Sequence, residues 1–385
     1  MWASGGFHMK AISGKAVALG LAFLFTAACG GGSDGGDGGP PATVYKYYAY
    51  VARSDDGVAA YTINSSTGAL TTVTGSPFSP SPNPSSVAVT PSGQFIYVTS
   101  YTSGDISAFR INPATGALTS VTGSPFSAGQ NPYSVAVDPS GKFVYAANDY
   151  SGDVSAYVIN SASGALTQVT GSPFSVGTPT GPWCVAVDPA GKFVYVANEN
   201  NKNVSAFALD AATGALTEIA GSPFPAGDFP QWVTLDPTGK FAFVANGGGS
   251  VSAYTANSVT GALTAVAGSP FTAGEDPVSI AIDPSGKFAY VANHNSVYLS
   301  TFAIDSTTGA LTEISGSPLA VGPSPGLQCV IFDPTGKFLY VSNSITSKVY
   351  AFSVNSSTGA LTGITGSPFD VGMSPVSIAT IRVKQ

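Results

Sequence analysis

A five-residue phrase, Thr-Gly-Ala-Leu-Thr, returns along most of the chain. It begins at Thr67, Thr115, Thr213, Thr260, Thr308 and Thr358, and Ser163 opens a seventh copy. Successive copies lie 48, 48, 50, 47, 48 and 50 residues apart. Units of that length built from short strands must stack on one another to bury a core, which is the pattern of a propeller rather than a helical solenoid. No segment sustains a 3.6-residue apolar period, so helices are not expected. The fold class that follows is all-β: a seven-bladed β-propeller of four-stranded antiparallel blades.

One repeat defines the unit. Ser134–Asp138 is a short inner strand, Pro139-Ser140-Gly141 a turn, and Lys142–Asn148 the second strand. Val154–Asn160 is the third strand, and Ala165–Phe174 reads as one continuous fourth. In the Asp-Pro-x-Gly turn the aspartate can accept turn amides, proline presets φ, and glycine closes a type I geometry. Ahead of the first repeat only three strands are found, starting at Tyr47–Ala52, while a lone inner-type strand, Val376–Val383, follows the last. The spare strand is therefore expected to complete the first blade and close the ring, leaving no open edge.

Ahead of the repeats the sequence has a different character. Met9 is a better start than Met1, because Lys10 and Lys15 precede the apolar run Ala16–Ala28, which is too short to span a bilayer comfortably. The run ends Thr26-Ala27-Ala28-Cys29, which resembles a lipobox, so residues 1–29 read as a signal peptide and Cys29 as a lipidation site. Residues 30–41 form a Gly/Ser-rich tether, and the propeller occupies 42–385. Gly30, rather than aspartate, after the cysteine implies an exported outer-membrane lipoprotein held by its lipid anchor. A net charge of −7 with only 14 Lys and Arg argues against a nucleic-acid partner. No cofactor or metal is implied.

Repeats of the form Pro-x-Ser-Val-Ala-Val-Asp-Pro-x-Gly-Lys-Phe-x-Tyr-Val-Ala-Asn, with Tyr195-Val-Ala-Asn198, Tyr290-Val-Ala-Asn293 and Tyr340-Val-Ser-Asn343, resemble the YVTN-repeat propellers and the lactonase family typified by 6-phosphogluconolactonase. The resemblance covers about residues 45–385. It implies a channel-mouth site built from His, Glu and Arg, several of them just after the proline that opens an inner strand. At those positions this chain has Ser85, Tyr133, Trp183, Gln231, Val278, Gln328 and Val376, none ionisable near neutrality. On that ground the leading expectation is a non-catalytic binding or scaffold propeller that recognises an envelope protein, glycan or small metabolite. The alternative is a lactonase-like hydrolase opening a sugar or carboxy lactone.

Loops on one face of the disc are near-copies, whereas those on the other diverge, and binding tends to reside in variable loops on a rigid scaffold. The candidate ligand-binding residues on that variable face are Tyr133, Trp183, Gln231, Gln328, Arg53, Asp149, Asp153, Glu199 and His294. No catalytic residue is assigned. Trp232 is expected to pack between blades, and the turn lysines Lys142, Lys192, Lys240, Lys287 and Lys337 to be solvated. Cys184 and Cys329 are expected to be buried free thiols.

Overall fold

In the third blade the inner strand Pro132–Val137 pairs with Phe143–Asn148, which pairs with Asp153–Ile159, which pairs in turn with Leu166–Gln168. The computed structural model describes residues 43–55, 57–177 and 181–385. Across them the same antiparallel order recurs in seven sheets, arranged so that each inner strand packs beside the next. The first sheet is completed by Pro375–Lys384, which pairs along the whole of Tyr45–Arg53. The ring closes as the repeat count requires. The leader, the lipobox at Cys29 and the tether lie outside the described residues.

The outermost strand departs from the sequence reading. It is not continuous: Leu166–Gln168 and Phe174–Ser175 both pair with Asp153–Ile159, separated by a turn with a cis Ser172-Pro173 bond. The turn leaves the amide of Ala156 without a ladder partner, and Ser172 Oγ accepts it at 2.9 Å. The same serine-to-amide bond recurs from Ser76, Ser124, Ser222, Ser269, Ser317 and Ser367. The repeated Gly-Ser-Pro therefore satisfies a buried donor where the edge strand breaks.

Two other repeated motifs meet across blade boundaries. The tyrosine of each Tyr-Val-Ala-Asn phrase donates its hydroxyl to the glycine carbonyl of the next blade's Thr-Gly-Ala-Leu turn. Tyr145 reaches Gly214 at 3.0 Å and Tyr195 reaches Gly261 at 2.9 Å. Tyr340 reaches Gly68 at 2.7 Å, carrying the clasp from the seventh blade to the first. That glycine is required twice over: Gly214 has φ of +78°, and a Cβ there would lie 2.4 Å from the Phe143 ring.

Nearer the axis, the serine of each inner strand accepts an amide from the following blade, as Ser134 Oγ does from Val185 at 3.3 Å. Cys184 and Cys329 hold two of these positions as buried free thiols. Burial pushes their pKa values up, to about 12 and about 11, so neither is a thiolate at neutral pH. Trp232 packs among apolar residues of both adjoining blades, as expected.

The turn aspartates are structural. Asp188 Oδ1 accepts the amides of Lys192 and Phe193, each at 2.6 Å, and Oδ2 accepts that of Ala190 at 3.1 Å. Charged hydrogen bonds of this kind contribute about 1.5–3 kcal/mol. Asp188→Ala is expected to lower unfolding free energy by about that amount with the circular dichroism spectrum unchanged. Denaturant titration measures it, and a loss well below 1 kcal/mol would mean that proline and glycine alone hold the turn.

Candidate functional site

Inner strands start, and second strands end, at the same end of every blade, so two rings of side chains surround one mouth of the central channel. The first ring is the second residue of each inner strand, after the opening proline in six blades and after Leu327 in the seventh. Ser85, Tyr133, Trp183, Gln231, Val278, Gln328 and Val376 all line a single axial cavity, as their register predicts. The cavity is narrow, about 30 Å³, which is room for a water molecule or two. The Tyr133 and Trp183 rings lie against each other with centroids 4.1 Å apart and largely fill it, and Tyr101 meets Tyr133 edge-on at 6.1 Å. A wider recess of about 170 Å³ opens beside them, lined by Ser54, Asn83, Pro84, Ser85, Tyr101, Tyr133 and Val376.

The second ring is the residue just past the end of each second strand: Ser54, Tyr101, Asp149, Glu199, Gly247, His294 and Ser344. In all seven blades its amide donates to the carbonyl of the residue just before the inner strand. Glu199 reaches Gly181 at 2.7 Å, Asp149 reaches Asn131 at 3.0 Å, and His294 reaches Asp276 at 2.7 Å. The accepting residue is often left-handed, with φ of 55° at Asn131, 56° at Asp276 and 129° at Gly181. This bond pins the ring against the mouth, and Asp276, one position before Pro277, joins it.

Here the structure supplies what the first ring lacks. Asp149, Glu199 and Asp276 come from three blades and share one electrostatic environment. Gln231, itself buried, donates from Nε2 to Glu199 Oε1 at 3.4 Å and to Asp276 Oδ1 at 3.3 Å. Gly247 makes space for that bridge, since a Cβ there would lie 2.8 Å from both Gln231 Nε2 and Asp276 Oδ1. Tyr101 donates its hydroxyl to Asp149 Oδ2 at 3.2 Å. Partial burial raises the pKa of all three carboxyls. For Glu199 the charges of Asp149 and Asp276 raise it further, and for Asp276 the His294 charge works the other way. His294 Nδ1 lies 3.2 Å from the Leu327 carbonyl, which makes Nδ1 the donor of that contact. Tyr133 stays protonated throughout: burial, then the Glu199 charge, drives its pKa far up.

Of the nine candidate residues, Tyr133, Trp183, Gln231 and Gln328 line the channel, and Asp149, Glu199 and His294 stand in the second ring. Two are placed elsewhere. Arg53 is not a mouth residue. It ends the strand Tyr45–Arg53 at the position held by Asn148 or Asn198 in other blades, is 4% exposed, and donates from Nη1 to the Val371 carbonyl at 2.9 Å. Asp153 opens a third strand and accepts from Asn148 Nδ2 at 2.6 Å, away from the mouth carboxylates. Tyr101 and Asp276 were absent from the sequence-derived set. The signal that could find them is positional: the residue after the second-strand Asn or Ser, and the residue before the inner proline. Among the described residues no group of three or more His, Cys, Asp or Glu side chains is arranged to hold a metal ion.

A closed seven-bladed ring whose mouth gathers coupled carboxylates around an aromatic plug is a propeller with the makings of an acid–base site. The chain belongs to the seven-bladed β-propeller lactonase family, whose model matches residues 45–187 and 180–332. Among solved structures it is similar to a candidate 6-phosphogluconolactonase from Bacteroides fragilis, at 22% identity over 87% of this chain and 98% of that one, with a TM-score of 0.75. A candidate 6-phosphogluconolactonase from Bacteroides uniformis gives 22% identity over 87% and 99%, with a TM-score of 0.74. The periplasmic gluconolactonase of Pseudomonas aeruginosa gives 18% identity over 87% and 99%, with a TM-score of 0.72. No curated protein sequence matches the chain. Family membership favours the hydrolase alternative over the non-catalytic scaffold expected from the first ring.

Proposed function

We propose that the protein is a lactonase that opens uncharged lactones, with Glu199 as the general base. The observation that carries this reading is the convergence of Asp149, Glu199 and Asp276, each with a raised pKa, on an aromatic-lined mouth. Ester hydrolysis needs a base to take a proton from water and a donor for the oxyanion. Glu199 accepts the water proton while the water oxygen bonds to the lactone carbonyl carbon. The ring C–O bond then breaks, and the proton passes from Glu199 to the departing alkoxide, giving a hydroxy acid. Tyr133, held protonated beside Glu199, supplies an O–H donor for the oxyanion, and its ring with Trp183 offers a flat apolar floor to a sugar ring. The product ionises to a carboxylate among like charges, which favours its release.

Charge separates this reading from a phosphosugar lactonase. Among the described residues of this face, Lys202 pairs with Asp228 at 2.9 Å, Lys348 pairs with Asp370, and Arg53 is buried on Val371. Among the described residues of this face no lysine or arginine is both exposed and free of a carboxylate partner, so none is placed to neutralise a phosphate, and like-charge contacts cost several kcal/mol. The test is acid release from δ-gluconolactone and from its 6-phosphate, measured in a pH-stat against the uncatalysed rate. Turnover of the neutral lactone is expected, with kcat/KM at least about tenfold lower for the phosphate. Acceleration of neither substrate would overturn the assignment, and preference for the phosphate would overturn the charge argument.

A further inference from the structure

The disc is electrically two-sided. Most of its acids lie on the mouth face, while the opposite face exposes more cations than acids. There the turn lysines Lys142, Lys192, Lys240, Lys287 and Lys337 form a ring, all exposed, and Arg110 adds a further charge between them. The ring seam brings three more. Tyr45–Arg53 and Pro375–Lys384 continue their ladder past the level at which other blades turn, which places Lys46, Arg382 and Lys384 on that face, again exposed. Against these nine cations the same face carries seven carboxylates, the exposed Asp210 and Asp305 and the five buried turn aspartates, so among the described residues it stays net positive. The turn aspartates are 2–6% exposed and their oxygens accept turn amides, so their charge lies beneath the exposed lysines. Several of the cations are also held in place through carbonyls, which leaves their charge intact: Lys240 Nζ donates to Ser306 O at 2.8 Å and Thr307 O at 3.1 Å, while Lys46 reaches Ala114 O and Arg110 reaches Ala162 O. A groove of about 530 Å³ beside the seam, bordered by Gln94, Arg110, Asn112 and Lys384, is wide enough for a phosphate headgroup.

We propose that this cationic face docks on an anionic phospholipid surface and so turns the mouth away from the membrane. A bilayer is the occupant favoured over a soluble acidic protein because the chain enters the ring at Tyr45, on this same face. Residues 30–42 span at most about 45 Å when extended. A lipid at Cys29, which this choice of occupant rests on, would thus hold the cationic face within reach of the headgroups. Each basic side chain near such a surface adds roughly fivefold to partitioning, and the effect fades within a Debye length.

The test needs no anchor, because the ring of residues 43–385 is one closed unit. The chain from Gly30 to Gln385 is sedimented with vesicles of phosphatidylglycerol and phosphatidylcholine, and with phosphatidylcholine alone. Binding is expected only to the anionic vesicles, and is expected to fall steeply with added salt. The triple variant K192E/K287E/K337E, whose positions are exposed turns, should lose at least about tenfold in partitioning. The mouth-face variant D55K/E275K should bind as the wild type does. Equal binding to both vesicle types, an unchanged triple variant, or a gain confined to D55K/E275K would each overturn the proposal. Since lactone turnover is not measured, failure here leaves the hydrolase assignment where it stands.

Discussion

Replacing Glu199 by glutamine is expected to lower the kcat for δ-gluconolactone by about 10²–10⁴, the usual contribution of a positioned general base. KM should change little, because glutamine keeps the size and one acceptor of the side chain that Gln231 bonds. The pH profile gives the sharper signature. Glu199 is a base only when ionised, and its pKa is raised by burial and by the charges of Asp149 and Asp276. The acid limb of kcat/KM should therefore lie above the ordinary glutamate value of about 4.3, and it should vanish in the variant. Stability supplies the control. A carboxyl whose pKa is raised on folding stabilises the protein below its unfolded value, and that stability is lost as pH rises through the folded value. Above that window the glutamine variant should melt at the same temperature as the wild type or slightly higher. A variant that keeps wild-type turnover and the same acid limb would remove Glu199 from the mechanism. Lost turnover with a lower Tm would point to a packing role instead.

Deleting residues 375–385 is expected to abolish cooperative folding. The segment pairs along the whole length of Tyr45–Arg53 and buries Val376, Ile378, Ile381 and Val383 wholly or in part against the adjoining blades. Four such side chains at about 1.5–3 kcal/mol each rival the 5–15 kcal/mol by which domains are typically stable. The deletion also exposes an unpaired strand edge. A rearranged chain separates the loss of contacts from the loss of sequence. Lys384 lies opposite Tyr45, so residues 375–385 placed before Tyr45 through an Asp-Pro-Ser-Gly turn would form the hairpin that other blades already have. The deletion should aggregate or show no melting transition, and the rearranged chain should recover one near that of the parent. Recovery of a sharp transition by the deletion alone would show that six and three-quarter blades suffice.

Much of this architecture was legible because the same physical problem is solved seven times over. Pairs such as Tyr145 and Gly214 recur 66 to 69 residues apart because each spans one blade boundary. Side-chain alternation along an inner strand has a period of two, so one proline registers the whole first ring, and Tyr133, Trp183, Gln231 and Gln328 stand where that count puts them. The outer strand was misread because Leu166–Thr170 and Phe174 are strand-like and the Gly171-Ser172-Pro173 turn signal between them was read through. The break depends on whether Ser172 can satisfy an amide of the neighbouring strand, which is a tertiary matter. Arg53 was misplaced for a related reason. It looks like a loop cation, but it occupies the buried position that other blades fill with asparagine, and its guanidinium donates to the Val371 carbonyl.

What the sequence determined by itself was the repeat, the number of blades, the closing strand and the identity of the first ring, because all of these follow from local pattern and strand register. The tertiary structure alone decided the site. Along the chain Glu199 follows Asp149 by 50 residues and Asp276 follows Glu199 by 77, in loops that look like solvated turns when read singly. Closure of the ring carries them to one mouth, and partial burial there turns three ordinary acids into a coupled group with raised pKa values. Convergence between blades and loss of water are properties of the assembled disc, and no single repeat encodes them.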